Sequence, residues 1–346
     1  MKFKKSTAII IIIMISFSLV ACSRKDKKEE VEKYTRNFIA LGTFIHISVF
    51  SDNEKEANRI LLEGEKRVNE IEGKMSINID KSEISMLNAN RQGKVSEENL
   101  YVVKTALKYA ALSNGKFDIT VDPLARLWGI GTDNAQIPSL EDINTARALV
   151  NYKTVHIEEN NKKITLGKDQ ALDLGAIAKG YTADEIRKVF VKNGIKSGCI
   201  NLGGNIMTIG SKMDGSKWNI GIQDPLASRD EYLGIVKGTD LSVVTSGNYE
   251  RYFERDGVRY HHILDVATGY PSKTGVISTT IISKNGIDGD ALSTAAFTLG
   301  VEEGIKLIES IDGVDAIFVT EDRMVYTTSK IQDKFELTND NFEIVK

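Results

Sequence analysis

The hydrophobic pattern changes its period along the chain, and these changes predict where strands and helices lie. Residues 38–50 show the period of two that is typical of a strand. Residues 54–73 show a helical period instead, with Ala57, Ile60, Leu61, Val68 and Ile71 on one side. Further helices are predicted over residues 97–113, 178–193, 290–299 and 301–310, and Gly194 is placed to end the second of these.

Strand signals dominate the second half of the chain. Residues 152–157 and 162–166 predict a hairpin around Asn160-Asn161. One substantial antiparallel sheet is predicted from residues 198–202, 218–223, 232–237 and 241–245, together with a strand pair joined at Asp256-Gly257. Residues 316–320 form a last predicted strand. Helices and strands are mixed without an internal repeat, which predicts an α+β fold.

The first residues have the pattern of a bacterial lipoprotein signal. A basic start precedes an apolar stretch over residues 8–20, which is short for a membrane span, and Leu19-Val20-Ala21-Cys22 resembles a lipobox. We therefore expect a signal peptide over 1–21, a lipid on Cys22, a charged tether over 22–33 and one large domain over 34–346. This predicts a lipid anchor at the extracytoplasmic face of the cytoplasmic membrane. The alternatives are an uncleaved anchor or a plain secretory signal.

Composition indicates an ordinary globular protein. Hydrophobic residues make up 41% of the chain and the formal net charge is −3, so nothing indicates the basic face that a nucleic-acid partner favours. Apart from Cys22 the chain has one cysteine, Cys199, which therefore has no partner for an internal disulfide. Its apolar neighbours indicate a buried strand thiol and not a nucleophile.

Two short runs carry most of the chemistry. In the run from Asp290 to Thr294 a carboxylate and a hydroxyl stand four residues apart, so a helix presents both on one face. Oxygen ligands of this kind suit a hard cation such as Mg²⁺. In residues 172–181, Asp173, Gly175 and Lys179 stand where a helix begins, a place that favours bound phosphate. Together the two runs predict a metal-assisted diphosphate site.

Other conspicuous residues carry weaker signals. The sequence has neither a dinucleotide-binding fingerprint nor a phosphate-binding Walker loop. Leu202-Gly203-Gly204 indicates either a tight turn or a backbone that a ligand approaches closely. Trp128 and Trp218 are interpreted as core anchors, and Thr245-Ser246-Gly247 as a turn that lines the site, because no nucleophile elbow surrounds the serine.

A series of motifs between about residues 40 and 327 resembles the ApbE family of FAD:protein FMN transferases, in family order. The motifs are Leu41-Gly42-Thr43, Ser82-Glu83-Ile84-Ser85, residues 115–121, Leu127-Trp128-Gly129, Asp173-Leu174-Gly175 with residues 178–181, Asn201-Leu202-Gly203-Gly204, Thr245-Ser246-Gly247, residues 262–265 with 268–271, and residues 290–294. The resemblance implies one large T-fold-related domain with mixed, largely antiparallel sheets and flanking helices. It also implies transfer of FMN from FAD to a Thr or Ser hydroxyl of an acceptor flavoprotein, with release of AMP.

The resemblance also assigns roles to particular positions. The implied Mg²⁺ ligands are Asp290, Thr294 and the carbonyl of Ala176, with Ser293 adjacent to the ion. The implied FAD contacts are Leu41, Asn78, Lys116, Phe117, Asp118, Asp173, Lys179 and Leu264. Acceptors in the family point to flavin-carrying subunits of membrane redox pumps or to extracytoplasmic electron-transfer lipoproteins. The sequence does not name the acceptor.

His262 is the candidate general base, because an imidazole near neutral pKa can take the proton of an acceptor hydroxyl. The alternative is a histidine that only forms a hydrogen bond within a hairpin. His261 beside it is predicted to face the opposite side of a strand, so we expect only one of the two to serve.

Three positions depart from the family pattern. Leu41 stands where Met is common and Val266 where Pro is common, and neither change removes chemistry. Asn78 aligns with a position where many members carry a Tyr over the FAD. Loss of that ring favours a second activity, Mg²⁺-dependent FAD pyrophosphatase giving FMN and AMP.

Two non-catalytic classes are weighed against the enzyme. A lipoprotein that only binds flavin has less need for the cation that the Asp290/Thr294 pair predicts. A substrate-binding lipoprotein of an importer shares the anchor, but such proteins have two lobes with parallel strands, which the antiparallel hairpins here do not match.

Overall fold

A computed structural model describes residues 31–331 and 333–345 of the chain. The predicted signal peptide, Cys22 and most of the tether lie outside the described residues. Strand β1 begins at Glu32, so Glu32 and Lys33 of the predicted tether belong to the folded domain. Within the described ranges no helix is long and apolar enough to cross a membrane.

The element boundaries are as follows. The strands are β1 (Glu32–Ala40), β2 (Thr43–Ser51), β3 (Gln92–Lys94), β4 (His156–Glu158), β5 (Lys163–Thr165), β6 (Gly198–Leu202), β7 (Asn205–Ile209), β8 (Trp218–Gln223), β9 (Tyr232–Gly238), β10 (Ser242–Gly247), β11 (Tyr252–Arg255), β12 (Val258–His261), β13 (Leu264–Asp265), β14 (Tyr270–Pro271), β15 (Val276–Ser283), β16 (Asp315–Thr320), β17 (Met324–Thr327), β18 (Phe335–Leu337) and β19 (Glu343–Ile344). The α-helices are α1 (Glu54–Met75), α2 (Glu83–Asn90), α3 (Glu97–Leu112), α4 (Asp122–Trp128), α5 (Leu140–Arg147), α6 (Ala178–Lys192), α7 (Gly286–Leu299) and α8 (Val301–Glu309).

A nine-stranded sheet forms the centre of the molecule, in the order β1-β2-β6-β7-β10-β15-β16-β17-β19. Neighbouring strands are antiparallel except for the parallel pair β17–β19. The α+β fold with largely antiparallel sheets is therefore confirmed. The predicted hairpin around Asn160-Asn161 is confirmed as β4–β5, although its first strand begins at His156, after a short 3₁₀ turn.

Two strand predictions were wrong. Residues 38–50 do not form one strand but the hairpin β1–β2, because Leu41 and Gly42 have φ values of 53° and 65° and turn the chain back. The strands predicted as one sheet between residues 198 and 261 are divided. β6 and β10 join the central sheet, β8 and β9 pair with β18, and β11 pairs only with β12.

The central sheet is covered by helices on one face and by a small sheet on the other. Along β15 and β16, Ile281 and Phe318 point into a cluster with α7 and α8, whereas Ile282 and Ile317 point toward β8, β9 and β18. All eight residues of β15 are buried. A strand buried on both faces has no alternation, which explains why β15 was missed in the sequence.

A third group of elements forms a separate, smaller cluster. Helices α4 and α5 form a small core with Leu264 and with aromatic residues of the β11–β12 hairpin. Trp128 is fully buried there, and its Nε1 donates a hydrogen bond to the carbonyl of Gly269 at 2.8 Å. Trp128 is therefore a core anchor, as predicted.

Candidate functional site

Helices α6 and α7 touch through two glycines near their first turns. A Cβ on Gly180 would lie 2.1 Å from the carbonyl oxygen of Gly286, and a Cβ on Gly286 would lie 2.4 Å from the carbonyl oxygen of Gly180. Both distances are far below any van der Waals contact, so the crossing requires glycine on both helices. This close contact brings the start of α6 against the residues of α7 that carry the predicted chemistry.

Asp290 lies at this crossing and is 4% exposed. Its Oδ2 accepts a hydrogen bond from the Gly180 N–H at 2.8 Å, and its Oδ1 accepts one from Nδ2 of Asn205 at 2.9 Å. The Lys179 Nζ is 3.9 Å from Oδ1. A carboxylate oxygen has two lone pairs, so each oxygen of Asp290 retains one for a further partner.

A second carboxylate, Asp184, makes the reverse connection from α6 to α7. Its two oxygens accept hydrogen bonds from the N–H groups of Gly286 at 2.8 Å and Ile287 at 2.9 Å. These are unpaired donors of the first turn of α7 and lie at the positive end of its dipole. Burial raises the pKa of Asp184 to about 6, against the opposite effect of the two N–H donors. Asp184 and Asp290 thus fasten the two helices reciprocally.

Hydroxyl groups continue the site along α7. Ser293 is fully buried, and its hydroxyl donates to the Asp290 carbonyl at 2.8 Å and lies 2.8 Å from the Ser246 hydroxyl at the end of β10. The Thr294 hydroxyl lies 3.3 Å from the Ser246 oxygen. Residues 245–247 were predicted to form a turn, but they belong to strand β10, and Ser246 connects the central sheet to the helix that carries Asp290.

The predicted metal ligands are chemically consistent with Mg²⁺. Asp290 and Thr294 occupy one side of α7, as their spacing predicted, and Ala176 is half-buried just before α6. Carboxylate, hydroxyl and carbonyl oxygens are what Mg²⁺ prefers, and this ion commonly keeps waters or substrate phosphates as its other ligands. No group of three or more His, Cys, Asp or Glu in the described ranges could hold a metal, so the set has one carboxylate. The Ser293 hydroxyl already forms hydrogen bonds with the Asp290 carbonyl and with Ser246, which is consistent with a position next to the ion and not with direct coordination.

The segment before α6 is shaped by its own side chains. Asp173 is half-buried, and its Oδ1 accepts a hydrogen bond from the Gly175 N–H at 2.7 Å. Lys179 donates from Nζ to the Gly175 carbonyl at 3.1 Å, while remaining close to Asp290. The predicted phosphate-favouring run thus lies beside the predicted metal ligands, although the two runs are more than a hundred residues apart in the chain.

Two of the predicted flavin contacts, Phe117 and Asp118, have side chains that are buried in the protein. Phe117 is 2% exposed and belongs to the main core. Asp118 is buried; it accepts hydrogen bonds from the N–H and hydroxyl of Thr120 and from the Tyr152 N–H. Their side chains are turned inward, whereas the Lys116 side chain is 30% exposed and its Nζ lies 3.0 Å from Asp265.

The remaining predicted flavin contacts lie at different depths. Leu41 is half-buried at the tip of the β1–β2 hairpin, and its N–H donates to Glu72 at 2.8 Å. Asn78 is exposed in the turn after α1. Leu264 is 7% exposed and packs beside Trp128, so little of its side chain reaches the surface.

His262 follows directly after β12 and reaches the surface. Its Nδ1 lies 3.2 Å from the carbonyl oxygen of Arg251, and its N–H donates to the same carbonyl at 3.1 Å. Desolvation by the surrounding protein atoms lowers the pKa of His262, and the charge of Arg251 lowers it further, so the ring is neutral near pH 7. His261 is 5% exposed, with its Nε2 3.0 Å from the Ser272 carbonyl oxygen. The two histidines thus face opposite ways, as predicted.

Four residues of this region were missed in the sequence. Asp184, Asn205, Ser246 as a partner of Ser293, and Arg251 contribute contacts described above. Asp184 and Asn205 contact residues 102 and 85 positions away in the chain, respectively. Lys179, Gly180 and Asp184 do lie within about one and a half turns of the same helix, which is a local signal.

Comparison with known proteins gives consistent results. A model of the ApbE family matches residues 41–318. The chain is 35% identical over 333 residues to an FAD:protein FMN transferase of Treponema pallidum, covering 91% of this chain and 92% of that protein. It is 33% identical to an FAD:protein FMN transferase of Klebsiella pneumoniae, covering 90% of this chain and 97% of that one.

Solved structures agree with the sequence comparison. A crystal structure of the ApbE protein of Thermotoga maritima superimposes with a TM-score of 0.82 at 33% identity, covering 88% of this chain and 99% of that chain. The flavin transferase ApbE of Vibrio cholerae superimposes with a TM-score of 0.79 at 27% identity, covering 88% of this chain and all of that chain.

Proposed function

This chain belongs to the ApbE family, and on that premise we propose that it transfers FMN from FAD to a Thr or Ser hydroxyl of an acceptor flavoprotein and releases AMP. Relatives named FAD:protein FMN transferase, matched over most of their length, support this class of reaction. Three details go beyond the names of these relatives: the Mg²⁺ ion, the Thr or Ser oxygen as acceptor, and AMP as the leaving group.

The observation that carries the proposal is the arrangement around Asp290. The buried Asp290 carboxylate accepts hydrogen bonds from Gly180 and Asn205, and it lies 3.9 Å from the Lys179 ammonium. Thr294 presents its hydroxyl on the same side of α7. An anionic oxygen with a free lone pair and an adjacent fixed cation suit a substrate that brings both phosphate charge and a metal ion. A protein that only stored flavin would not need this arrangement.

In the proposed reaction the acceptor oxygen forms a bond with the phosphorus on the FMN side of the diphosphate. The bond from that phosphorus to the bridging oxygen breaks, and AMP leaves with the electron pair. Asp290, Thr294 and the Ala176 carbonyl would hold Mg²⁺, whose chemistry here is to neutralise diphosphate charge. Lys179 stabilises the same negative charge from the start of α6.

His262 accepts the proton of the acceptor hydroxyl in this proposal. Its lowered pKa supports the role, because a base must be unprotonated at working pH. Its Nδ1 is directed at the Arg251 carbonyl, which leaves Nε2 for a substrate proton if Nδ1 carries the hydrogen.

The anchor and location are proposed from the sequence pattern alone. A lipid on Cys22 would place the enzyme at the extracytoplasmic face of the bacterial membrane, with the acceptor on the same side. Strand β1 begins ten residues after Cys22, so the tether would span at most about 35 Å.

The test uses the chain, FAD and Mg²⁺, with and without an acceptor domain that a known family member modifies. Mass spectrometry should show the acceptor heavier by one FMN less one water, and AMP should appear in the same tube. A chelator added first should prevent the adduct. Absence of an adduct with intact, FAD-bound protein would contradict the transferase proposal.

A second candidate function is FAD hydrolysis to FMN and AMP. Asn78 favours it, because a small exposed amide stands where an aromatic ring would shield the substrate from water. Asn78→Tyr should lower the ratio of free FMN to adduct several-fold, since a stacked ring contributes about 1 kcal/mol. An unchanged ratio would remove Asn78 from the argument.

A further inference from the structure

Arg251 links three separate parts of the molecule around His262. Its carbonyl accepts both the N–H and the Nδ1 contact of His262. Its aliphatic part runs along Gly131, where its Cδ is 3.5 Å from the position of a Cβ, and its Nη2 is 3.7 Å from the same position on Gly42. The guanidinium thus extends from His262 to the tip of the β1–β2 hairpin, next to Leu41.

This guanidinium is exposed and has no carboxylate partner among the described residues. Two other arginines, by contrast, have a carboxylate partner: Arg67 lies 2.6 Å from Glu185, and Arg229 lies 3.0 Å from Glu250. The Arg251 side chain is instead packed on two glycines, whose missing side chains leave its charged end open to a ligand. An unpaired guanidinium of this kind can donate hydrogen bonds to an anion.

The charges near Arg251 favour an anion as well. Lys179 acts on His262 with the same sign as Arg251, so two positive charges lie near the ring. Leu41 at the hairpin tip and His262 are both positions that resemblance assigns to the flavin site. A substrate that carries a diphosphate would place its negative charge among these groups.

We propose that the Arg251 guanidinium binds a phosphate oxygen of the FAD diphosphate, between the hairpin tip and His262. This rests on the proposed function for the identity of the ligand. Arg251 then joins Lys179 in holding the diphosphate, and its backbone carbonyl orients the ring of His262 toward the same ligand. No metal, reductant or other reactant is needed for this contact.

The experiment compares two flavins that share the ring system and differ in phosphate. FAD and riboflavin binding to the full chain are measured by flavin fluorescence for the wild type, Arg251→Gln and Arg251→Lys. We expect Arg251→Gln to weaken FAD binding by roughly tenfold to a hundredfold, as for a lost charged hydrogen bond, and riboflavin binding by less than about twofold. Arg251→Lys should restore part of the FAD affinity, because it retains charge and loses the fork of donors.

Arg255→Gln is the matched control. Arg255 is also exposed and without a carboxylate partner in the described part of the chain, and it lies four residues away at the far end of β11. Its loss changes net charge equally and should leave both affinities unchanged. Equal losses in the two variants would overturn the proposal by showing only long-range attraction. Equal losses for FAD and riboflavin would overturn it by showing contact with the ring.

The result is independent of catalysis. A wild type that binds FAD but forms neither adduct nor AMP would contradict the proposed function, and the Arg251 contrast would still decide the phosphate contact. A wild type that transfers FMN while Arg251→Gln binds FAD normally would contradict this inference alone.

Discussion

The site has two walls that differ in how their polar groups are satisfied. The helix wall consists of Gly180, Asp184, Gly286 and Asp290, where both carboxylates accept hydrogen bonds from the opposite helix. The loop wall consists of Gly42, Gly131, Arg251 and His262, where a guanidinium and an imidazole reach the surface on turns and strand ends.

The difference indicates that the two walls have different functions. A site needs a fixed part, whose geometry does not change as charge develops, and an accessible part, where substrate enters and leaves. The helix wall is fixed because each helix supplies the partners of the other. We therefore expect changes in the helix wall to affect stability and metal use, and changes in the loop wall to affect ligand binding and proton transfer.

The largest expected effect comes from the helix wall. Asp290→Ala removes the one carboxylate of the predicted metal set and leaves the Gly180 N–H and the Asn205 amide without their acceptor. Transfer should fall by more than about a thousandfold, since charge stabilisation of this kind commonly contributes that much. The measurement is adduct formation at saturating FAD over a range of Mg²⁺.

Asp288→Ala is the control for that experiment. Asp288 lies on the same helix, but it accepts hydrogen bonds from Tyr109 and Asn285 outside the site. The control should retain most activity. If Asp288→Ala and Asp290→Ala lost activity equally, the loss would reflect damage to α7 and not a missing ligand.

The helix wall also shows how far the sequence alone reaches. Asp290 and Thr294 could be placed together because a helix sets the direction of residues four apart, and this rule is local. The Gly180–Gly286 contact and the hydrogen bond from the Gly286 N–H to Asp184 join residues about a hundred positions apart, and no local pattern encodes them. The two short runs and the family resemblance both indicated Lys179 and Asp290, but neither indicated Asp184, the carboxylate that connects their helices.

The fold shows the same limit. Helix α1 was predicted to within two residues at its end, because its buried positions repeat at helical spacing. Strand β15 was missed, since burial on both faces removes the alternation that marks a strand. Phe117 and Asp118 were assigned to flavin by motif, whereas burial turns both side chains into the protein. The motif concerns the segment as a whole, whereas the direction of each side chain in it depends on tertiary packing.

The second prediction concerns the loop wall. His262→Ala should lower transfer by about 10²–10⁴-fold without changing the unfolding free energy by more than about 0.5 kcal/mol, because the ring reaches the surface. In the wild type, activity should fall with acid only at a pH below about 6.5, since crowding, Arg251, His261 and Lys179 all lower the pKa of this base.

Arg251→Gln offers a check on that assignment. Loss of the neighbouring positive charge should raise the pKa of His262, and so move the acid limb of the pH–rate profile to higher pH. An acid limb that remains in His262→Ala, at reduced rate, would assign the titration to a different group.

The third prediction tests the glycine contact in the helix wall. Gly180→Ala places a methyl group 2.1 Å from the Gly286 carbonyl oxygen, so the helices must separate and Asp290 must move. We expect a stability loss of about 1–3 kcal/mol and a weaker response to Mg²⁺. Gly73→Ala is the control, because that helical glycine has open space around it, and the change should stabilise α1 by up to about 1 kcal/mol.

The smallest effect is expected from Asp184, and it depends on pH. The pKa of this carboxyl is raised to about 6 in the folded chain, so the folded state binds the proton more tightly than the unfolded state. Its contribution to stability is therefore largest below the unfolded pKa of about 4 and declines as pH rises to about 6, by at most about 3 kcal/mol. Asp184→Asn lacks this titration.

The free energy of unfolding of Asp184→Asn, relative to the wild type, should therefore increase between about pH 4 and pH 7, as measured by urea denaturation. Activity should nevertheless fall by about tenfold, because an amide has one acceptor for the two N–H groups of α7 that Asp184 binds. A variant that gains stability while it loses activity would show that Asp184 positions the α6–α7 site and does not serve mainly to stabilise the fold.

The control is Asp312→Asn, in an exposed loop before β16, which should change neither stability nor activity. Full activity in Asp184→Asn would show that Gly180 and Asn205 alone position Asp290, and the helix wall would then have one working carboxylate and not two.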